Sequence, residues 1–498
     1  MNTGLSKSKY VTFCTCPKAL WLRTYKPELE VKDTGVESRF EIGNEVGDLA
    51  MKYFGSFVEV TTLDANGKLD LTAMIKKTQD EIAKGTDVIC EASFTYNGNY
   101  CAVDILKKNE DGYDIYEVKS STSADKEVYY EDLAYQKWLL EQCGLKIKDV
   151  YLMHINNEYV LKDALDVKKL FKAEKLNDKV VLYYNEVAKN ELNAKTMLNN
   201  DSEPLNKIGV HCFEPYTCGY FNYCTKGMKS PNVFDLYRMS NKKASEYYNK
   251  GITTFEQLKN EKLNKTQEMQ IECELNDEEI INVDGIKQFL KNITYPLYFL
   301  DFETMQPAIP LYKGTKPYQF ITFQYSLHYI ENEGGELKHK EFLGDPKVNP
   351  MEELAKQLVN DIPKDVCVLA FNMSFEKTRI KEMSELYPKF KEHLMNIHDN
   401  IIDLIEPFRA CYYYNKAMNG SFSIKVVLPA LFPNDPSLDY HNLNGSVHNG
   451  GEASDIFPKM RDMSEEEYKK ARASLLEYCG LDTYAMVKIL EKLYEVIN

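Results

Sequence analysis

The chain has 498 residues, 44% of them hydrophobic and 28% charged, which is enough for two or three packed domains and too apolar for intrinsic disorder. A net charge of -15 excludes a generally basic surface that would coat phosphates, so any nucleic-acid contact must be local. The first residues lack a signal-peptide core and runs such as Val366 to Phe371 fall far short of a membrane span, so we expect a soluble, cytoplasmic protein without a membrane partner.

The texture of the chain changes near Lys229-Ser230-Pro231-Asn232 and near Tyr295-Pro296, which predicts segments 1–230, 231–294 and 295–498 of an α/β protein. In the first, Cys101 to Leu106 alternates, Lys107 to Gly112 supplies an Asp-Gly turn, and Tyr113 to Lys119 returns as a second strand. Residues two apart on a strand share a face, so Glu117 and Lys119 project together and Asp104 approaches from the partner strand. Two carboxylates and a backbone oxygen suit a hard cation such as Mg²⁺, and the lysine suits a phosphorane charge. An isolated Glu-x-Lys is more often solvated.

Twelve cysteines without an export signal are more naturally thiols or ligands than disulfides. Cys212, Cys218 and Cys224 follow one another with five residues between each, and Cys16 sits near the N-terminus before Pro-Lys. Four thiolates suit zinc or an iron-sulfur cluster, and spacing alone does not separate the two. The middle segment reads as a helix at Ala244 to Asn249, a Gly251-Ile252 turn and a second helix at Thr253 to Leu258. That is the shape of a helix-hairpin-helix or of an ordinary helical linker.

In the last segment, Asp301 and Glu303 interrupt the buried strand Leu297 to Glu303. Two buried like charges are costly unless a cation lies between them. A short strand at Val366 to Phe371 runs into Asn372-Met-Ser-Phe-Glu376 and a helix. Ser464 and Glu467 form a capping box for the closing helix, on which Tyr478 and Asp482 share a face.

These motifs carry two resemblances. Asp104 with Glu117-Val-Lys119 resembles the PD-(D/E)XK motif of RecB-like nucleases, and Tyr135-Gln136 resembles the glutamine helix downstream of it. The upstream helix Gly43-Asn-Glu-Val-Gly47 is similar to one that carries a metal-facing residue, which here falls to Glu45 or to Glu91. The cysteine arrangement resembles the branch of that family in which Cys16, Cys212, Cys218 and Cys224 would hold a 4Fe-4S cluster. Asp301-x-Glu303, Asn372-x-x-Phe-Glu376 and Tyr478-x-x-x-Asp482 resemble, in order, the three motifs of DnaQ-type DEDD exonucleases.

The resemblances imply a restriction-endonuclease-like domain, a helical linker and an RNase H-like domain. They imply metal ligands Asp104, Glu117, Asp301, Glu303, Glu376 and Asp482 for Mg²⁺ or Mn²⁺, with Lys119, Gln136 and Tyr478 as catalytic groups. Gly420 to Pro429, with Asp403 before it, resembles an RNase H-like domain of unassigned function fused to RecB-like nucleases, and Lys425 and Asn372 are its candidate nucleic-acid contacts. The expected activity is phosphodiester hydrolysis of DNA in repair or defence. An RNA-processing exonuclease, or a nucleic-acid-binding or redox-sensing iron-sulfur protein with inactive sites, is the alternative.

Overall fold

The computed structural model describes residues 4–32, 35–200 and 202–498, and the protein is mixed α/β. It divides into two compact units, Met1–Gly227 with Pro307–Tyr318, and Met228–Gln306 with Gln319–Asn498.

The first unit is built on a six-stranded sheet in sequential order: β1 (Val58–Glu59), β2 (Val88–Tyr96), β3 (Asn99–Asn109), β4 (Gly112–Lys119), β5 (Ile147–Ile155) and β6 (Phe171–Lys175). Strands β2 and β3 pair antiparallel through Asn97-Gly98, whose φ angles of 48° and 80° are those a tight hairpin turn demands. The β3–β4 turn depends on Gly112, where φ is 148° and a Cβ would lie 2.2 Å from the Lys146 carbonyl oxygen. Strands β4 and β5 are parallel, so the chain must cross over between them, and it does so through the helix Glu127–Gln142. Two cores cover the sheet's apolar residues, one including Leu106, Ile115 and Tyr135, the other including Val46, Ile105 and Met153.

Residues 307–318 belong to this first unit. Ala308 and Ile309 are buried in its second core, Gly314 N–H donates to the Leu161 carbonyl at 2.7 Å, and the Tyr318 hydroxyl donates to the Ser120 carbonyl.

The second unit begins with short helices. Asn241–Asn249 is capped by Ser240, Gly251 turns at φ 80°, and Phe255–Leu258 is capped by Thr254 in a capping box. The strand β7 (Ile280–Ile281) pairs with β13 (Tyr413–Tyr414). Between them in sequence lie β8 (Leu297–Met305), β9 (Ile321–Ile330), β10 (Leu337–Leu343), β11 (Cys367–Ala370) and β12 (Ile401–Asp403). These five form one sheet in the order β10-β9-β8-β11-β12. Strand β9 is antiparallel to both its neighbours, while β11 is parallel to β8 and to β12. Strand β8 is therefore central, and it is buried along most of its length as its apolar run requires. The closing helix Glu465–Glu495 packs against β8 and β9 and buries Leu475, Tyr478, Cys479 and Asp482.

Candidate metal centres

The first centre gathers on the β3–β4 hairpin. Register places Ile105 opposite Tyr116, so Asp104 falls opposite Glu117 one step further, and Asp104 Oδ2 accepts the Val118 N–H at 2.6 Å. Glu117 is buried, and it accepts from Lys119 Nζ at 2.5 Å and from Gln136 Nε2 at 2.7 Å. Gln136 also donates to Asp132 Oδ1 at 2.9 Å, one helical turn earlier on the same face, and Asp132 receives Lys119 at 3.0 Å. Asp104, Glu117, Lys119 and Gln136 are thus brought together.

Two participants are new. Lys7 Nζ donates to both Glu117 oxygens, at 2.9 and 3.0 Å, and lies 3.8 Å from Asp104. It gets there because Leu5 is tied to β3, donating to Asn99 Oδ1 and accepting from Tyr100 N–H, while Ser6 caps the helix Lys7–Thr15. Asp132 is the second; its position four residues before Gln136 is the one sequence signal that pointed to it.

Glu45 and Glu91, the two candidates for the extra acid, stand in different surroundings. Glu45 is exposed on the helix Val36–Ala50 and has no hydrogen bond or ion pair to the hairpin carboxylates among the described residues. Glu91 stands opposite Asp104 where the β2–β3 register is interrupted, with φ 57°, a conformation a glutamate holds only when its surroundings impose it. Burial and the Asp104 charge push Glu91 up to about 7. Asp104 is also raised, by burial and then by Glu117. Burial would raise Glu117 too, yet the Lys119 and Lys7 ammonium groups hold it far below the usual carboxylate range.

The second centre sits on β8. Ligand atoms of Asp301, Glu303 and Cys479 all lie within 4.8 Å of one another. Asp482, one turn beyond Cys479, accepts from the Tyr440 hydroxyl at 2.6 Å, and the Tyr478 and Tyr440 rings lie 6.0 Å apart. Burial, then Asp482, Glu303 and Glu376, hold Asp301 well above its ordinary range, and burial with Asp482 does the same to Glu303. Asp301 and Glu303 thus meet Cys479 closely, while Asp482 and Glu376 stand outside that 4.8 Å group and act on Asp301 through their charge. Glu376, in the first turn of the helix Ser374–Leu386, is buried, and its Oε2 has no hydrogen-bond partner among the described residues.

Lys425 is the cation of this centre. Its Nζ donates to the Tyr478 hydroxyl at 3.0 Å and to the His448 carbonyl at 3.2 Å, and it lies over the Tyr478 and Tyr440 rings. Sequence reasoning missed Tyr440 and took Cys479 for a core residue. Tyr440 comes from a stretch of short turns without periodicity, and Cys479 reads as one more core thiol. Asn372, at φ 75°, donates its N–H to Asp403 at 2.8 Å and accepts from Arg409 Nη2 at 2.9 Å. That network fixes the turn from which Glu376 projects, and leaves Asn372 itself exposed.

The four cysteines Cys16, Cys212, Cys218 and Cys224 line one cavity. Burial raises the Cys212, Cys218 and Cys224 thiols, Cys224 to about 11, and each feels the charge of Cys16. In that cavity the protein offers four sulfur donors: Cys16 at a helix N-cap, Cys212 ending a 3-10 turn, Cys218 in the loop after it and Cys224 ending a short helix. The donor set fits a thiolate-bound metal group.

Residues 298–423 match a domain of unknown function, DUF2779. The matched span holds Asp301, Glu303, Glu376 and Asp403 and stops short of Lys425, Tyr478 and Asp482. The chain is similar to the uncharacterized protein MG366 of Mycoplasma genitalium, 28% identical over 217 residues, which cover 40% of this chain and 32% of that protein. It is also similar to the uncharacterized protein UU173 of Ureaplasma parvum, 26% identical over 454 residues, covering 78% of this chain and 60% of that one. The chain therefore spans less than two thirds of the length of either relative. No helix among the described residues is long and apolar enough to cross a membrane.

Proposed function

We propose that this chain is a metal-dependent nuclease with a RecB-like PD-(D/E)XK centre in its first unit and a DEDD-type, RNase H-like exonuclease centre in its second. The observation that carries the reading is the convergence of acids from separate elements on the central strand of the second sheet. Asp301 and Glu303 come from β8, Glu376 from the helix after β11, and Asp482 from the closing helix. Buried carboxylates that raise one another's affinity for protons form a site in want of a cation. The strand order β10-β9-β8-β11-β12, with only β9 reversed, supports the RNase H-like assignment.

Asp301, Glu303, Glu376 and Asp482 would hold Mg²⁺ or Mn²⁺ in the second centre, and Asp104, Glu117 and Glu91 in the first. The ions would supply charge stabilisation for an in-line displacement at phosphorus. The chain's own groups do the rest. Tyr478, kept as a phenol by burial and the Asp482 charge, offers a hydroxyl beside the acids, and Lys425 keeps it in place. In the first centre Lys119, held charged by Asp132 and Glu117 against its burial, offers an ammonium to a developing phosphorane charge. Cys16, Cys212, Cys218 and Cys224 would bind a 4Fe-4S cluster that staples the ends of the first unit.

DNA is the substrate we favour, by the RecB-like resemblance. The test is degradation of end-labelled DNA and RNA with Mn²⁺ by wild type, Asp104→Ala and Asp301→Ala. Each single variant should lose one product pattern and keep the other, with a loss of about 10²-fold or more at the affected centre. Full activity in both variants would overturn the site assignment, and cleavage confined to RNA would replace the DNA reading.

A further inference from the structure

Two polar residues that the proposed chemistry has not used line the cysteine cavity. His211 and Tyr220 line it together with Cys16, Cys212, Cys218 and Cys224. Tyr220 is 2% exposed, and both its hydroxyl oxygen and His211 Nε2 are buried with no hydrogen-bond partner among the described residues. Burying a hydroxyl and an imidazole nitrogen unpaired is unfavourable, so such atoms point to an acceptor for them nearby. His211 is also held in place. A Cβ on Gly209 would fall 3.0 Å from its Nδ1 and 3.1 Å from its Cε1, so the glycine at 209 leaves room for the ring on that side. The imidazole rests one edge against Gly209 and keeps its Nε2 edge buried.

Thiolate and sulfide sulfurs are acceptors without hydrogens of their own. We propose that His211 Nε2–H and Tyr220 O–H donate hydrogen bonds to the sulfurs of the group bound by Cys16, Cys212, Cys218 and Cys224, and so set its reduction potential. The inference rests on the cluster reading above. Its physical basis is charge: reduction adds an electron to the sulfur-rich core, and donors aimed at sulfur stabilise the more negative state, which raises the potential. The neighbouring cavity wall at Ala19, Leu22 and Phe221 is apolar, and Asn206 Nδ2 already donates to Cys16 Sγ at 2.9 Å, so His211 and Tyr220 would add to a donor that one sulfur has.

The experiment uses the full chain purified anaerobically, with iron and sulfide content measured before an EPR-monitored redox titration. Tyr220→Phe and His211→Leu should keep the iron content of wild type and shift the potential downward, while His211→Gln, which retains an N–H, should stay closer to wild type. Unchanged potentials at full iron content would overturn the inference and leave the cluster reading intact. Loss of iron in His211→Leu with a normal thermal midpoint would make His211 a ligand, which also overturns it. A wild-type preparation that holds zinc and no iron would overturn the cluster reading itself, and the inference with it.

Discussion

Glu117 is held by three side chains from three different elements, and Lys7 is the one that reaches it from farthest away in sequence. Removing one partner of a buried pair leaves the other charge uncompensated, a loss of about 3 kcal/mol at the lower end of the usual range because Lys119 and Gln136 remain. Lys7→Met should therefore lower the unfolding midpoint of the first unit in EDTA. In Mn²⁺ the loss should shrink, since a divalent ion supplies the missing positive charge to the same carboxylates. Denaturant melts with and without Mn²⁺ check this, and an equal loss in both conditions would mean Lys7 acts through packing. At this scale the sequence was legible where the backbone has a period. Asp104, Glu117 and Lys119 follow from alternation and a turn, and Tyr478 and Asp482 follow from helical spacing. Lys7 has no such signal, because its place is set by a bridge between Ser6 and Tyr100 that no local pattern announces. Glu91 is hidden for the related reason that an irregular register, not a motif, points it at Asp104.

The closing helix runs 31 residues and carries the last acid of the second centre well inside its length. Its start is fixed by Ser464, which accepts the Glu467 N–H while the Glu467 carboxylate accepts the Ser464 N–H at 3.0 Å. Ser464→Ala should reduce stability by about 1 kcal/mol and the thermal midpoint by about 2–4 °C. The midpoint increase produced by Mn²⁺ should be unchanged, because Asp482 lies several turns beyond the frayed end; calorimetry with and without the ion reads both quantities. The capping box was visible in sequence, as were the strand at Leu297 and the helix after Asn372. The β9–β10 hairpin was not read, although Ile321 to Tyr329 alternates apolar and polar residues; what the alternation does not show is that Thr322, Gln324 and Ser326 are buried by tertiary packing rather than solvated. Strand β1, at two residues, is too short to have a period at all.

Over the whole molecule, acid stability sums many groups, and one histidine stands out among them. Burial pulls His328 down to about 4, with the His339 ring 4.3 Å away adding to the effect, and its Nδ1 pairs with the Thr483 hydroxyl at 2.8 Å. An unfolded histidine titrates near pH 6.5, so the folded state binds fewer protons between about pH 6.5 and 4. The stabilisation is complete above the unfolded value and is lost as pH falls toward the folded one. His328→Asn should flatten the decline of the thermal midpoint between pH 6.5 and 4 relative to wild type, and parallel curves would refute the assignment. The comparison must be between variants, because with a net charge of -15 the protonation of surface carboxylates relieves repulsion over the same interval. The mixed α/β class was legible at this scale from alternating strand and helix patterns. The path of the chain between the units was not, because residues 307–318 look like an ordinary loop between two strands.

That path governs how the protein can be taken apart. The chain passes between the units three times, after Gly227, after Gln306 and after Tyr318. A fragment ending at 227 would lack Ala308 and Ile309 from its own core and the Tyr318 bond to Ser120. A fragment beginning at 228 would carry those twelve residues as a surplus arm between β8 and β9. No single cut of the chain therefore yields two self-sufficient halves, and a first unit made alone would need residues 307–318 joined to its end.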